Sequence, residues 1–146
     1  MNPKFDELQM LNRQKIAFQT LIFTLALIFV DGFVKTFYIW ATPMVEALVL
    51  LSIPTVFFTT RAIMKNAYFV MGTKIKKEIW GFGAICAFGI IIFAQSIFSG
   101  TLNIIENGML SDDVSFPILI LTYIFIVLAM VVKAVQERKE GKNVDE

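Results

Sequence analysis

Hydrophobic positions along the chain fall into four long runs separated by short polar stretches. The first, residues 16–34 (IAFQTLIFTLALIFVDGFV), contains one ionisable residue, Asp31. A helix of that length rises about 28 Å at ~1.5 Å per residue, close to the hydrocarbon thickness of a bilayer. Further runs follow at 43–63, 79–98 and 117–133. The pattern predicts four transmembrane helices joined by polar segments at 64–78 and 99–116, with residues 1–15 before them and 134–146 after.

Local signals mark where these helices start and stop. Phe5, Leu8, Leu11 and Ile16 recur at roughly helical spacing and Asp6 can cap. Residues 1–15 therefore predict a short amphipathic cytoplasmic extension of the first helix. Thr42 suits an N-cap, Pro43 the first helical position and Glu46 the first turns of the second helix. Pro54, in its interior, predicts a kink, with Ser52 and Thr55 near enough to help satisfy the carbonyl it frees. Asn107-Gly108 is a turn signal. Ser115 suits the N-cap of the fourth helix, which should continue to about Lys139.

Composition narrows the class. The chain of 146 residues is 57% hydrophobic and 17% charged, whereas soluble domains are about 45–50% apolar. The expectation is a single all-α domain, an integral-membrane bundle of four transmembrane helices, since four spans leave no room for a soluble domain of typical size. There is no histidine, and the one cysteine, Cys86, lies in the third run. Zinc, haem and iron–sulfur sites then lack their usual ligands, and no cofactor or metal is expected. No phosphate loop, nucleophile elbow or soluble basic face is present, so the reading is neither an enzyme nor a nucleic-acid binder.

Charge adds orientation. A net charge of +1 says little, but placing both termini and the 64–78 loop in the cytoplasm puts twelve of the thirteen basic residues inside and leaves only Lys35 outside. This predicts a multi-pass plasma-membrane protein with both termini cytoplasmic. The basic stretch holds Arg61, Lys65, Lys74, Lys76 and Lys77, edged by Tyr68, Phe69 and Trp80. It either sets topology or contacts anionic lipid or a partner.

Three groups of residues are candidates for function or packing. Asp31 and Lys35 stand one turn apart near the outer boundary, where they can pair; alternatively Asp31 and Glu46 contact a cation. Gln95, with Ser96 and Ser99, gives the third helix a polar outer end that could contact an ion or ligand or hydrogen-bond between helices. Gly83, Ala87 and Ala94 form a strip of small residues, read as a packing seam inside the chain or, alternatively, a contact between copies.

The opening FDELQMLNRQKIAFQTLIF, followed by a second span ending RAIMKNAYF, resembles the uncharacterised small four-helix membrane proteins of Gram-positive bacteria. The matching positions are Asp6, Glu7 and Gln9, and the resemblance covers about the first half of the chain. It implies a plasma-membrane protein and carries over no catalytic residues. The functional expectation is a non-enzymatic accessory, regulatory or immunity-type component acting through protein partners. A small transporter or channel subunit, and a lipid-binding protein using the basic loop, are the alternatives. The expected partners are membrane lipids and either another membrane protein or a second copy, with no nucleic acid.

Overall fold

The computed structural model describes residues 6–69 and 75–142. It is built of four helices, α1 (Glu7–Lys35), α2 (Pro43–Met64), α3 (Ile75–Phe98) and α4 (Ser115–Lys142). Between α3 and α4 lie a small hairpin, β1 (Ile105–Glu106) with β2 (Met109–Leu110), and a single 3-10 turn over Asp112–Val114. Each of the four helices contains a stretch long and apolar enough to cross a membrane.

α1 begins at Asp6, whose backbone N–H donates to Gln9 Oε1 at 3.2 Å. The amphipathic segment, as far as it is described, is the first part of α1 and not a separate element, because no glycine or proline interrupts the chain between Glu7 and Lys35 except Gly32 near its end. α2 opens as its sequence predicts, with Thr42 at the N-cap and Pro43 at the first position. Pro54 is buried inside it and the helix continues through to Met64. The Thr55 hydroxyl does not serve the carbonyl freed by Pro54. It donates to Leu51 O, four residues back, at 2.7 Å. Ser115 is not the N-cap of α4 but its first residue, because the 3-10 turn capped by Ser111 already leads into the helix.

The helices pack as an open row. α1 lies against α2, α2 against α4, and α4 against α3. Thus α1 and α3 stand at the two ends of the row with one main neighbour each, while α2 and α4 form its centre. At one end along the helix axes, Ile63, Ile126, Ala129 and Met130 form the buried core, flanked by Tyr68, Phe69, Ile79 and Phe82. At the other, Ala41, Val45 and Ser111 are buried where the loops meet. The α1–α2 interface is marked by Phe23 and Phe57, whose rings stand 4.8 Å apart.

The α3–α4 seam differs from the one expected. Within the chain the close approach is at Gly89, where an added Cβ would stand 3.0 Å from Ile120 Cγ1. At Gly83 a Cβ would meet nothing within 4 Å, and Ala87 is exposed. Ala94 is half-buried. The inner face of α3 follows Ile79, Phe82, Cys86, Gly89 and Phe93, at alternating spacings of three and four. Since successive residues are about 100° apart on a helix, Gly83 and Ala87 lie one step round from Phe82 and Cys86 and turn toward the outside.

Candidate functional site

The candidate residues collect at the two ends of the bundle along the helix axes, which have opposite character. The acidic end carries Asp31, Glu46, Glu106, Asp112 and Asp113 against one cation, Lys35. Here α1 ends and α2 begins within a short turn, so that Lys35, favoured at a helix C-terminus, faces Glu46, favoured at a helix N-terminus. The Lys35 ammonium donates to both Glu46 carboxylate oxygens, at 2.8 and 2.6 Å. Asp31 is therefore not the partner of Lys35. Its Oδ1 instead accepts from the Trp40 indole N–H at 2.8 Å. Both carboxylates proposed as cation contacts are engaged in contacts that fix the α1–α2 turn.

The two connecting loops at this end are joined to each other. Thr42 N–H donates to Leu110 O at 3.1 Å and Leu110 N–H to Trp40 O at 3.0 Å, extending the hairpin by a bridge between Ala41 and Leu110. The Tyr38 hydroxyl donates to Gly108 O at 2.5 Å, and the Thr42 hydroxyl to Asp112 Oδ1. The hairpin turn has Asn107 and Gly108 both at positive φ, 53° and 79°, as the two-residue turn that matches strand twist requires. Asp113 Oδ2 accepts from Asn103 N–H at 3.0 Å, and the Ser111 hydroxyl donates to Asn103 O. Beside this lid, between the ends of α3 and α4, is a cavity of about 380 Å³ lined by Phe93, Ser96, Asp112, Asp113 and Phe116 among others. The sequence offered no spacing signal for it, since its walls come from loop and helix ends. Gln95 is exposed on α3, and its backbone carbonyl accepts from Ser99 N–H at 2.9 Å.

The basic end is organised around Arg61. Its Nη1 donates to Gln19 Oε1 at 2.6 Å across the α1–α2 interface, and its guanidinium lies 4.8 Å from the Phe57 ring centroid. Gln9, in the first turn of α1, donates through Nε2 to Asn66 O at 2.8 Å and so ties α1 to the turn after α2. That turn closes with Asn66 at φ 54° and Ala67 N–H on Ala62 O at 2.8 Å. Lys65 and Lys77 are exposed, Lys76 lies in the first turn of α3, and Lys74 lies outside the described residues. The structure thus brings Asp31, Lys35 and Glu46 to one end and Arg61, Lys65 and Lys77 to the other. Sequence reasoning missed the Gln19–Arg61 bond, whose signal was a polar residue inside the first apolar run. Among the described residues no group of three or more acidic or cysteine ligands is placed to hold a metal ion. No family model, curated protein or solved structure matches the chain, so the functional reading rests on these residues alone.

Proposed function

We propose that this chain is a multi-pass plasma-membrane protein, with both termini and the basic end in the cytoplasm, that acts as a non-enzymatic accessory, regulatory or immunity-type component through a membrane-protein partner. The observation that carries the reading is the open row. Because α1 and α3 each pack on one helix, Phe18, Leu25 and Phe29 of α1 and Phe88 and Ile91 of α3 are left exposed. On α3 the small residues Gly83 and Ala87 share that outer side with nothing packed against Gly83. In lipid, apolar area by itself does not drive association, but small residues let a second backbone approach closely enough for van der Waals contact. The acidic end supports the reading from the other direction, since Asp31 and Glu46 are spent on holding the α1–α2 turn.

Photo-cross-linking in the source membrane tests this. A benzoylphenylalanine at Ala87 should yield one discrete adduct with another membrane protein, while the same probe at Ile120, which faces α3 inside the chain, should not. Adducts only to lipid, or only to a second copy of this chain, would defeat the partner reading. Orientation is checked separately with Cys86 replaced. A cysteine at Lys65 should be blocked only by permeant thiol reagents, and one at Glu106 by impermeant ones.

A further inference from the structure

Lys15, Gln19, Arg61 and Lys65 belong together in a way that the loop sequence does not show. α1 and α2 run antiparallel, with Gln19 bonded to Arg61 and, further toward the basic end, Gln9 bonded to Asn66. Lys15 precedes Gln19 by four residues and Lys65 follows Arg61 by four, so each lies on the same helical face as its neighbour. Lys15 therefore stands about 6 Å beyond Gln19 along α1, and Lys65, which caps the end of α2, about 6 Å beyond Arg61, both exposed. Among the described residues Lys15, Arg61 and Lys65 form no ion pair, whereas Lys35 pairs with Glu46 and Lys133 with Glu137. The acids nearest along α1, Asp6 and Glu7, lie about 12 Å further out.

Arg61 is held ready by its surroundings. Gln19 takes one N–H and Phe57 supports the planar face of this exposed side chain, which holds the guanidinium in place and lowers the entropy lost when an anion is bound. Counted from Pro43, Arg61 lies about 27 Å along α2 at ~1.5 Å per residue, close to the inner edge of a hydrocarbon core of about 30 Å. That is the depth at which lipid phosphates begin. We propose that Lys15, Arg61 and Lys65 form a site for the phosphate of an anionic phospholipid, with Arg61 donating its fork to the phosphate oxygens and the two lysines closing over the headgroup. The acyl chains run along the exposed faces of α1 and α2, where Phe18, Ile22 and Leu51 are already apolar and uncovered. The proposal rests on the membrane reading above but not on the partner.

The test uses the full chain in nanodiscs of phosphatidylcholine containing a minor fraction of phosphatidylglycerol, with native mass spectrometry counting the phosphatidylglycerol retained after release from the disc. Wild type should retain phosphatidylglycerol in preference to phosphatidylcholine. Arg61→Gln should weaken retention about tenfold, the scale of one charge-assisted bidentate contact, and Arg61→Lys, which keeps charge but loses the fork, by less. The double variant Lys15→Gln/Lys65→Gln changes only exposed side chains and should weaken it comparably, which covers the case that Arg61→Gln disturbs folding. Lys77→Gln removes the same charge from α3 and should leave retention unchanged. An equal loss in Lys77→Gln and Arg61→Gln would mean general charge attraction and overturn the site. So would retention of both lipids alike, or displacement of phosphatidylglycerol by glycerol phosphate binding as tightly on its own. A chain that fails to enter nanodiscs would overturn the membrane reading and the site with it; one that enters but retains no phosphatidylglycerol overturns the site alone.

Discussion

Enlarging Gly89 tests which face of α3 meets α4. A Cβ there would stand 3.0 Å from Ile120 Cγ1 and 3.4 Å from Cδ1, and Ile120 is buried and β-branched, so it yields little. Gly89→Ala gains helix propensity of about 1 kcal/mol but must displace Ile120 by a few tenths of an ångström, and the two effects should nearly cancel. Gly89→Leu adds three further carbons on the same contact and should cost about 1–3 kcal/mol by overpacking. At Gly83 an added Cβ meets nothing within 4 Å, so Gly83→Leu should cost less than Gly89→Leu, with a gain in helix propensity beside it. Ile120→Ala alone should cost about 2–4 kcal/mol through the cavity it leaves. The double variant Gly89→Leu/Ile120→Ala should then be more stable than the sum of the singles by about 1–2 kcal/mol, because the leucine fills that space. Reversible unfolding in mixed micelles, titrated with sodium dodecyl sulfate and followed by circular dichroism, gives each value. Equal costs for Gly83→Leu and Gly89→Leu, or strict additivity of the double variant, would show that α3 presents a different face to α4.

The acidic end yields two more expectations and the core one. Trp40→Phe removes the indole donor from Asp31 and should cost about 1–3 kcal/mol in the same assay, whereas Asp31→Asn retains an acceptor oxygen and should cost under about 1 kcal/mol; a large loss in Asp31→Asn with none in Trp40→Phe would contradict the pairing. Tyr38→Phe combined with Thr42→Val removes two of the bonds joining the loops and should speed amide exchange at Leu110 and Thr42 without changing exchange at Ile63. Met130→Ala, fully buried in the core, should cost about 2–5 kcal/mol, while Leu128→Ala, half exposed on the same helix, should be nearly neutral in a lipid environment.

The helices were legible in the sequence because each apolar run is long and its boundary chemistry is local. Thr42 and Pro43, the turn at Asn107-Gly108 and the basic stretch after Arg61 all act within a few residues of where they stand. Partner choice was not legible in the same way. Lys35 has Asp31 one turn back on its own helix, yet it bonds Glu46, eleven residues on, because the chain folds over at residues 36–42 and brings the start of α2 beside it, while Asp31 accepts from Trp40. The face of α3 that packs inside the chain is not legible for a related reason. Small residues occur on both sides of the helix, and only the position of Ile120 decides that Gly89, and not Gly83, is the close approach. The loop lid between Tyr38 and Asp112 joins segments seventy residues apart, which no periodicity reports.

The open row also explains where the polar groups went. Among the described residues the buried polar side chains are Thr59, Ser111 and Lys133, which lie on α2, in the loop lid and on α4. Lys133 reaches toward Glu137 one turn on, 3.8 Å away, beyond the apolar run, so its stem is covered while its charge is turned to the basic end. The outer helices keep their hydroxyls to themselves. Thr20 and Thr24 of α1 donate to Ile16 O and Thr20 O, each at 2.8 Å, and Ser96 of α3 donates to Ile92 O at 3.2 Å. Each hydroxyl bonded in this way to its own helix can face lipid without an unmet donor, so α1 and α3 need no partner in order to be stable. A helix that docks on them gains shape and dispersion but relieves no polar penalty. If a partner docks there, as proposed above, its selectivity comes from how closely its backbone can approach Gly83 and Ala87.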